Sequence, residues 1–301
     1  MRVDWKGWRR VLTDAFKRWF THDSMAQSAA LSYYTAFSLA PVLLVVVTIA
    51  GLVFGKDAVR GTLVRQFDGL MGRDQAELVQ TVLKSAERDD SGPFAAIVGV
   101  VMLIVAATAV FAQLQSALNR IWEVTPKKGS FVADFLRKRM LSFALVVGIG
   151  FLLLVSLVLS AGLSALQAHF EGRFGTEAAW LGWISNVVSF LLFTLLFAMV
   201  FRILPDAKIP WRDVWVGALG TALLFVVGKW AIGLYLGRSA VGSAYGAAGS
   251  VLVILLWVYY VSMILLFGAE FTRAFSRRFE KHAVPPEKGA KKQPKGADVP
   301  T

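Results

Sequence analysis

The sequence predicts an all-α polytopic membrane protein. It expects six transmembrane helices, an N-terminal amphipathic interfacial helix and a short extracytoplasmic helical hairpin. Three observations carry that expectation. Of 301 residues, 56% are hydrophobic and only 17% are charged, with a mean hydropathy of +0.59. Apolar runs of about 20 residues recur along the chain, each the length that crosses a ~30 Å hydrocarbon layer as a helix. No single water-soluble core of this size needs so many of them.

Residues 1–22 place Trp5, Trp8, Leu12, Phe16, Trp19 and Phe20 at spacings of three and four, with Lys6, Arg9, Arg10, Lys17 and Arg18 between them. This is the pattern of a helix in the membrane interface, with cations toward anionic headgroups; packing on the protein's own cytoplasmic face is the alternative. A membrane domain over 24–275 follows, with spans at about 31–54, 94–121, 140–166, 181–204, 214–236 and 247–269. The first long run exceeds a signal-peptide core and is expected to stay in place. Pro41 lies inside it and removes one backbone donor. The connection 56–93 repeats Val59, Leu63, Phe67 and Leu70, then Leu78, Val82 and Leu83, and reads as the hairpin. The tail 276–301, rich in Lys, Pro and Gly, is expected to be disordered.

Charge orients the chain. The N-terminal segment carries six Lys/Arg, the 123–139 loop five, the 205–213 loop two and the tail from Arg273 eight. The opposing loops carry six, one and one, and the six lie among seven acids. The positive-inside rule then puts both termini in the cytoplasm. The net charge of +12 is read first in this way and not as affinity for nucleic acid.

Three stretches are long and distinctive: SAALSYYTAFSLAP (28–41) with AGLVFG (50–55), FAQLQSALNRIWEV (111–124), and the last hydrophobic third with WRDVWVGAL, GKW, SAYGAAGSV, LLWVYY and LFGAEFTR. In these the chain resembles the YihY/BrkB family of bacterial inner-membrane proteins, also labelled ribonuclease BN-like. The resemblance implies six membrane helices and a multi-pass inner-membrane location. Transport or virulence association is what it implies for function, without an established reaction.

The ribonuclease label finds no support in the residues. There is no cysteine, and His22, His169 and His282 are scattered, whereas metal-assisted hydrolysis needs clustered ligands. Asp206 and Asp213, beside Lys208 and Arg212, read as a solvated turn. No enzymatic activity, cofactor, metal or specific nucleic-acid partner is expected. Membrane lipids are the expected partners at the N-terminal helix, and the sequence leaves a homo-oligomer open.

Polar residues inside the spans are the informative ones. A charge at the centre of a membrane helix costs about 2.5–3.5 kcal/mol on insertion scales. Lys229 is therefore a candidate contact for an anionic substrate group, or a side chain snorkelling to the outer interface. Tyr245, in the Gly-rich turn 239–250, is a second candidate contact. That turn lacks the Gly-Lys-Ser/Thr of a phosphate-binding loop, and its small residues suit close approach of the last two spans. Asn119, Arg120, Glu123, Arg202, Glu270 and Arg273 should share the cytoplasmic depth, as a gate of ion pairs or as ordinary helix-end charges. Ser28, Ser32, Thr35 and Gln113 are candidates to line a polar path, or small-residue packing. The leading expectation is a transporter, exporter or lipid flippase for an anionic or amphipathic substrate. The alternative is a non-transporting membrane scaffold.

Overall fold

The computed structural model of the chain describes residues 5–85, 109–124, 179–238 and 247–279. Among the described residues there are eight helices and no strand. These are α1 (Trp5–Thr21), α2 (Ser24–Phe54), α3 (Lys56–Met71), α4 (Arg73–Ser85), α5 (109–121), α6 (Ala179–Ile203), α7 (Trp211–Arg238) and α8 (Ala247–Phe279). The expected third span, the first part of the second, Tyr245 with most of its turn, and the tail from 280 lie outside the described residues.

Three of these helices are long and apolar enough to cross a membrane, through Asn186–Ile203, Trp211–Ile232 and Gly249–Arg278. At a rise of ~1.5 Å per residue, the 33 residues of α8 extend for about 50 Å. That exceeds a hydrocarbon core by several turns, so one end of α8 projects beyond it. The outward faces of α6 and α7 present Val187, Leu191, Leu219, Leu223, Val227 and Trp230, which suits contact with lipid chains, since a helix satisfies its backbone groups within itself.

Helix α8 is the element the others meet: α1, α2 and α7 all pack on it, and α6 packs on α7. The main core joins Leu31 of α2, Leu118 and Ile121 of α5, Phe197 and Phe201 of α6, Ala218 and Ala222 of α7, and Leu266 and Ala269 of α8. Phe225 is its aromatic centre, with Phe193 at 4.7 Å and Trp257 at 6.2 Å between ring centroids. Helix α2 runs unbroken through Pro41, and its far half uses Leu43 and Val47 against Val59 of α3 and Val79 and Leu83 of α4. Helices α3 and α4 are joined at Gly72, whose φ of 95° is readily reached only without a side chain.

Helix α1 divides its apolar residues between two faces. Val11 and Ala15 are buried against Ala274 and Phe275 of α8, with Trp8 and Phe271 beside them. Leu12, Phe16 and Phe20 remain exposed. Half of the amphipathic pattern is thus answered by the protein's own surface, and the N-terminal helix sits at the same end of the bundle as the last turns of α8.

Helices α7 and α8 approach each other closely at three glycines. A Cβ built on Gly217 would fall 1.7 Å from Thr272 Oγ1, one on Gly268 1.9 Å from Thr221 Oγ1, and one on Gly228 1.2 Å from the Tyr260 hydroxyl. The pairings 217 with 272, 221 with 268 and 228 with 260 describe one antiparallel register. Each threonine hydroxyl donates to the carbonyl of the glycine one turn earlier in its own helix, Thr221 to Gly217 and Thr272 to Gly268, both at 2.7 Å. The polar groups are satisfied locally, and each threonine side chain, its Oγ1 foremost, fills the neighbour's glycine notch, as small residues do in membrane helix pairs. The residues that make this approach are Gly217, Gly228 and Gly268, spaced along both helices.

Gly217→Ala is therefore expected to lower the stability of the detergent-solubilised chain by about 1–3 kcal/mol, the usual cost of overpacking. Adding Thr272→Ala should recover part of the loss, and equal thermal midpoints for Gly217→Ala and wild type would contradict this register.

Candidate functional site

The last turns of α8 carry Glu270, Arg273 and Arg277. Their spacings of three and four put them on one helical face. Glu270 is 0% exposed and Arg273 is 3% exposed, so both charges must be met by protein groups. Two chain reversals supply them. Between α1 and α2 the chain turns at His22 and Asp23, and Asp23 adopts the left-handed conformation with φ 54°, which Asp tolerates better than most residues. This turn brings His22 Nδ1 to 2.5 Å from Glu270 Oε1. After α5 the chain turns at Glu123, also left-handed at φ 52°.

Glu123 gathers three arginines from two helices. Arg273 reaches it at 2.7 Å, Arg277 at 3.0 Å and Arg18 of α1 at 3.3 Å. Arg273 also donates to the carbonyl of Ile121, one of the orphan acceptors at a helix C-terminus. Partial burial alone would push the Glu123 carboxyl up. The hydrogen bonds and positive charges of Arg273 and Arg277 outweigh that and hold it down at about 2, from 4.5.

A second polar cluster ties α5 to the α6–α7 connection. The Asn119 side chain donates to Asp206 Oδ2 at 2.9 Å and accepts from the Asp206 backbone N–H at 2.8 Å, and Gln115 donates to the same carboxylate oxygen at 3.3 Å. Arg202 donates to the carbonyl of Ile209 and lies over the Trp211 ring, 5.4 Å from its centroid. Asp213, in the first turn of α7, is 1% exposed rather than solvated. Neither of its oxygens has a hydrogen-bond partner among the described residues. The partial positive charge of the helix N-terminus favours a carboxylate at that position.

Of the six residues expected at one depth, Glu123, Glu270 and Arg273 are brought into one network. Arg120 lies at its margin, 3.9 Å from Asp23 with both side chains largely exposed, an arrangement that contributes little. Asn119 and Arg202 belong to the α6–α7 connection instead. Ser28 and Ser32 are buried: Ser28 donates to its own helix at Ser24, and Ser32 donates to the Leu255 carbonyl of α8 at 2.6 Å. Gln113 bonds Gln27 at 2.7 Å, and Thr35 lends its carbonyl to Ser38. Lys229 is partly exposed beside Trp230 and has no hydrogen-bond or ion-pair partner among the described residues. His22, Arg18, Arg277 and Asp206 were not among the expected site residues. Arg277 alone carried a sequence signal, since it continues the face of Glu270 and Arg273. Among the described residues no three His, Asp or Glu side chains are grouped to hold a metal ion.

The profile of the family described as Virulence factor BrkB matches residues 15–293. The chain is 30% identical over 265 residues to the UPF0761 membrane protein of Alcanivorax borkumensis, covering 85% of this chain and 58% of that one. It is 30% identical over 279 residues to a UPF0761 membrane protein of Pseudomonas paraeruginosa, with 89% and 64% covered. A relative in Ralstonia nicotianae is 29% identical, with 82% and 54% covered. The chain thus spans about three-fifths of the length of these relatives. No solved structure matches it.

The Glu123 network has a signed acid dependence. A carboxyl lowered from 4.5 to about 2 on folding adds stability that is complete above pH ~4.5 and lost as the pH falls toward ~2. Half of the Glu123 side chain is in solvent, so screening limits the effect to about 1 kcal/mol. In thermal unfolding the wild type should lose its advantage over Glu123→Gln across that window, whereas a constant difference would remove the assignment.

Proposed function

Because this chain belongs to the Virulence factor BrkB family of membrane proteins, we propose that it moves an anionic or amphipathic substrate, such as a lipid, across the bacterial inner membrane. In this reading six helices span the bilayer, both termini are cytoplasmic, and the polar end of α8 is the cytoplasmic gate. One observation carries it: a wholly buried carboxylate, Glu270, sits on an apolar membrane helix and is held by groups from other elements. Charge within a span is expensive. A solid bundle has no need of it, whereas a pathway that must open and close needs groups that exchange partners between two states.

The remaining residues take roles consistent with this. Opening parts α8 from the Glu123 turn and the α1–α2 corner, breaking the Arg273–Glu123 and Glu270–His22 contacts together. Lys229 offers its ammonium to the anionic part of a substrate from the opposite half of α7. The exposed Leu12, Phe16 and Phe20 of α1, with exposed Arg9, Arg10 and Lys17 beside them, rest on anionic headgroups.

The test is movement of a fluorescent anionic phospholipid analogue, and separately of a small anionic dye, in proteoliposomes. Glu270→Ala should lower the rate at least about tenfold, the equivalent of ~1.4 kcal/mol, and Lys229→Ala should weaken substrate affinity. Full activity in both variants removes their roles. A wild-type chain that moves neither probe turns the reading toward a membrane scaffold.

A further inference from the structure

We propose that Glu270 and His22 form a proton-binding site, loaded from the α1–α2 corner, whose occupancy holds that corner on α8. The ligand is a single proton. The site lies at the end of the bundle assigned above to gating and takes its purpose from that reading, as its coupling or control ion.

The geometry is that of a hydrogen shared between imidazole and carboxylate. Nδ1 of His22 and Oε1 of Glu270 are 2.5 Å apart, and two bare acceptors do not approach so closely. The second carboxylate oxygen, Oε2, is sealed from solvent and has no hydrogen-bond partner among the described residues. An ionised carboxylate left in that position depends on charge from its neighbours. The charged groups facing Glu270 are His22, Arg273 and Arg18. Both arginines are already engaged: Arg273 with Glu123 and the Ile121 carbonyl, Arg18 with Glu123. Arginine also does not give up its proton. Only His22 can both compensate Glu270 and exchange.

The other ionisable groups at this end do not compete for the role. Asp23, at the start of α2, is exposed and faces Arg120. Glu123, after α5, is saturated by three arginines, and Arg277 is one of them. Asp213 of α7 is buried in its own helix's first turn. Helices α3 and α4 pack on the far half of α2 through Leu43 and Val47.

Access is asymmetric. The His22 side chain keeps 16% of its surface in solvent while Glu270 keeps none. A proton therefore passes from water to the imidazole and from the imidazole to the carboxylate. When it leaves, the buried carboxylate loses its compensating charge, and the corner that carries His22 separates from α8 and admits water to Glu270.

The chain has no native cysteine, so spin labels at Thr21→Cys and Arg278→Cys report the corner against the end of α8. Both positions are exposed. The labelled full chain is placed in anionic nanodiscs and titrated from about pH 5 to about pH 8, where histidines in general change charge. The expected result is a label distance that lengthens as the pH rises, with loss of that transition in both His22→Gln and Glu270→Gln. Infrared difference spectra of the same titration should lack one imidazole component in His22→Gln and one carboxyl component in Glu270→Gln, relative to wild type. A wild-type distance that is constant across the range, or a transition unchanged in His22→Gln, overturns the proposal. Where Glu270→Gln fails to fold, His22→Gln carries the test alone, because its side chain is partly exposed at a turn. No gradient or substrate is present, so this result stands or falls separately from transport.

Discussion

Everything at the polar end follows from one constraint: α8 carries Glu270 and Arg273 near the end of a long, mostly apolar helix, and neither reaches water. In a medium that cannot solvate them, each charge must find protein partners or be neutralised. The two left-handed turns at Asp23 and Glu123 answer that need, because each aims a side chain back at α8. The packing of α1 on Ala274 and Phe275 keeps both turns in reach. Helix α1 is therefore part of the bundle's electrostatics as well as a surface element.

The same helix satisfies a different constraint on its opposite side. Lipid tails are as apolar as leucine, so α7 and α8 gain little from hydrophobic burial against each other, and close van der Waals fit has to hold them. The reciprocal notches of Gly217 with Thr272 and Gly268 with Thr221 provide that fit. The threonine hydroxyls, bonded to their own helices, leave no polar group open in the interface. One face of α8 is thus keyed to α7, while another holds the ionic contacts to the α1–α2 corner and the Glu123 turn.

Membership of the BrkB family places this architecture among membrane proteins named for membrane location rather than for a reaction. The polar end therefore has to be interpreted from its chemistry. Its components, a buried carboxylate with an imidazole partner and an arginine triad on a single glutamate, are groups whose contacts depend on protonation and on separation. Static ion pairs at a helix end require neither the burial of Glu270 nor the sealed oxygen beside it.

By itself the sequence determined the class and the elements: composition and run length specify apolar helices, and the spacing of Trp5, Trp8, Leu12, Phe16 and Trp19 specifies an amphipathic α1, because these depend only on local periodicity; that Val11 and Ala15 are the residues buried on α8 was decided by the packing. It also marked Glu270, Arg273 and Glu123 as charges at one depth, since cost in a bilayer is a property of position along a helix. What it did not disclose were the partners. His22, Arg18 and Asp206 are 248, 105 and 87 residues from the groups they bond, and no periodicity links residues so far apart. The burial of Asp213, read locally as a solvated turn, appears only in the folded chain. The glycine–threonine register is a last case: α7 and α8 each carry a G-x3-T spacing, Gly217 to Thr221 and Gly268 to Thr272, but only the antiparallel fit of the two helices turns it into a contact.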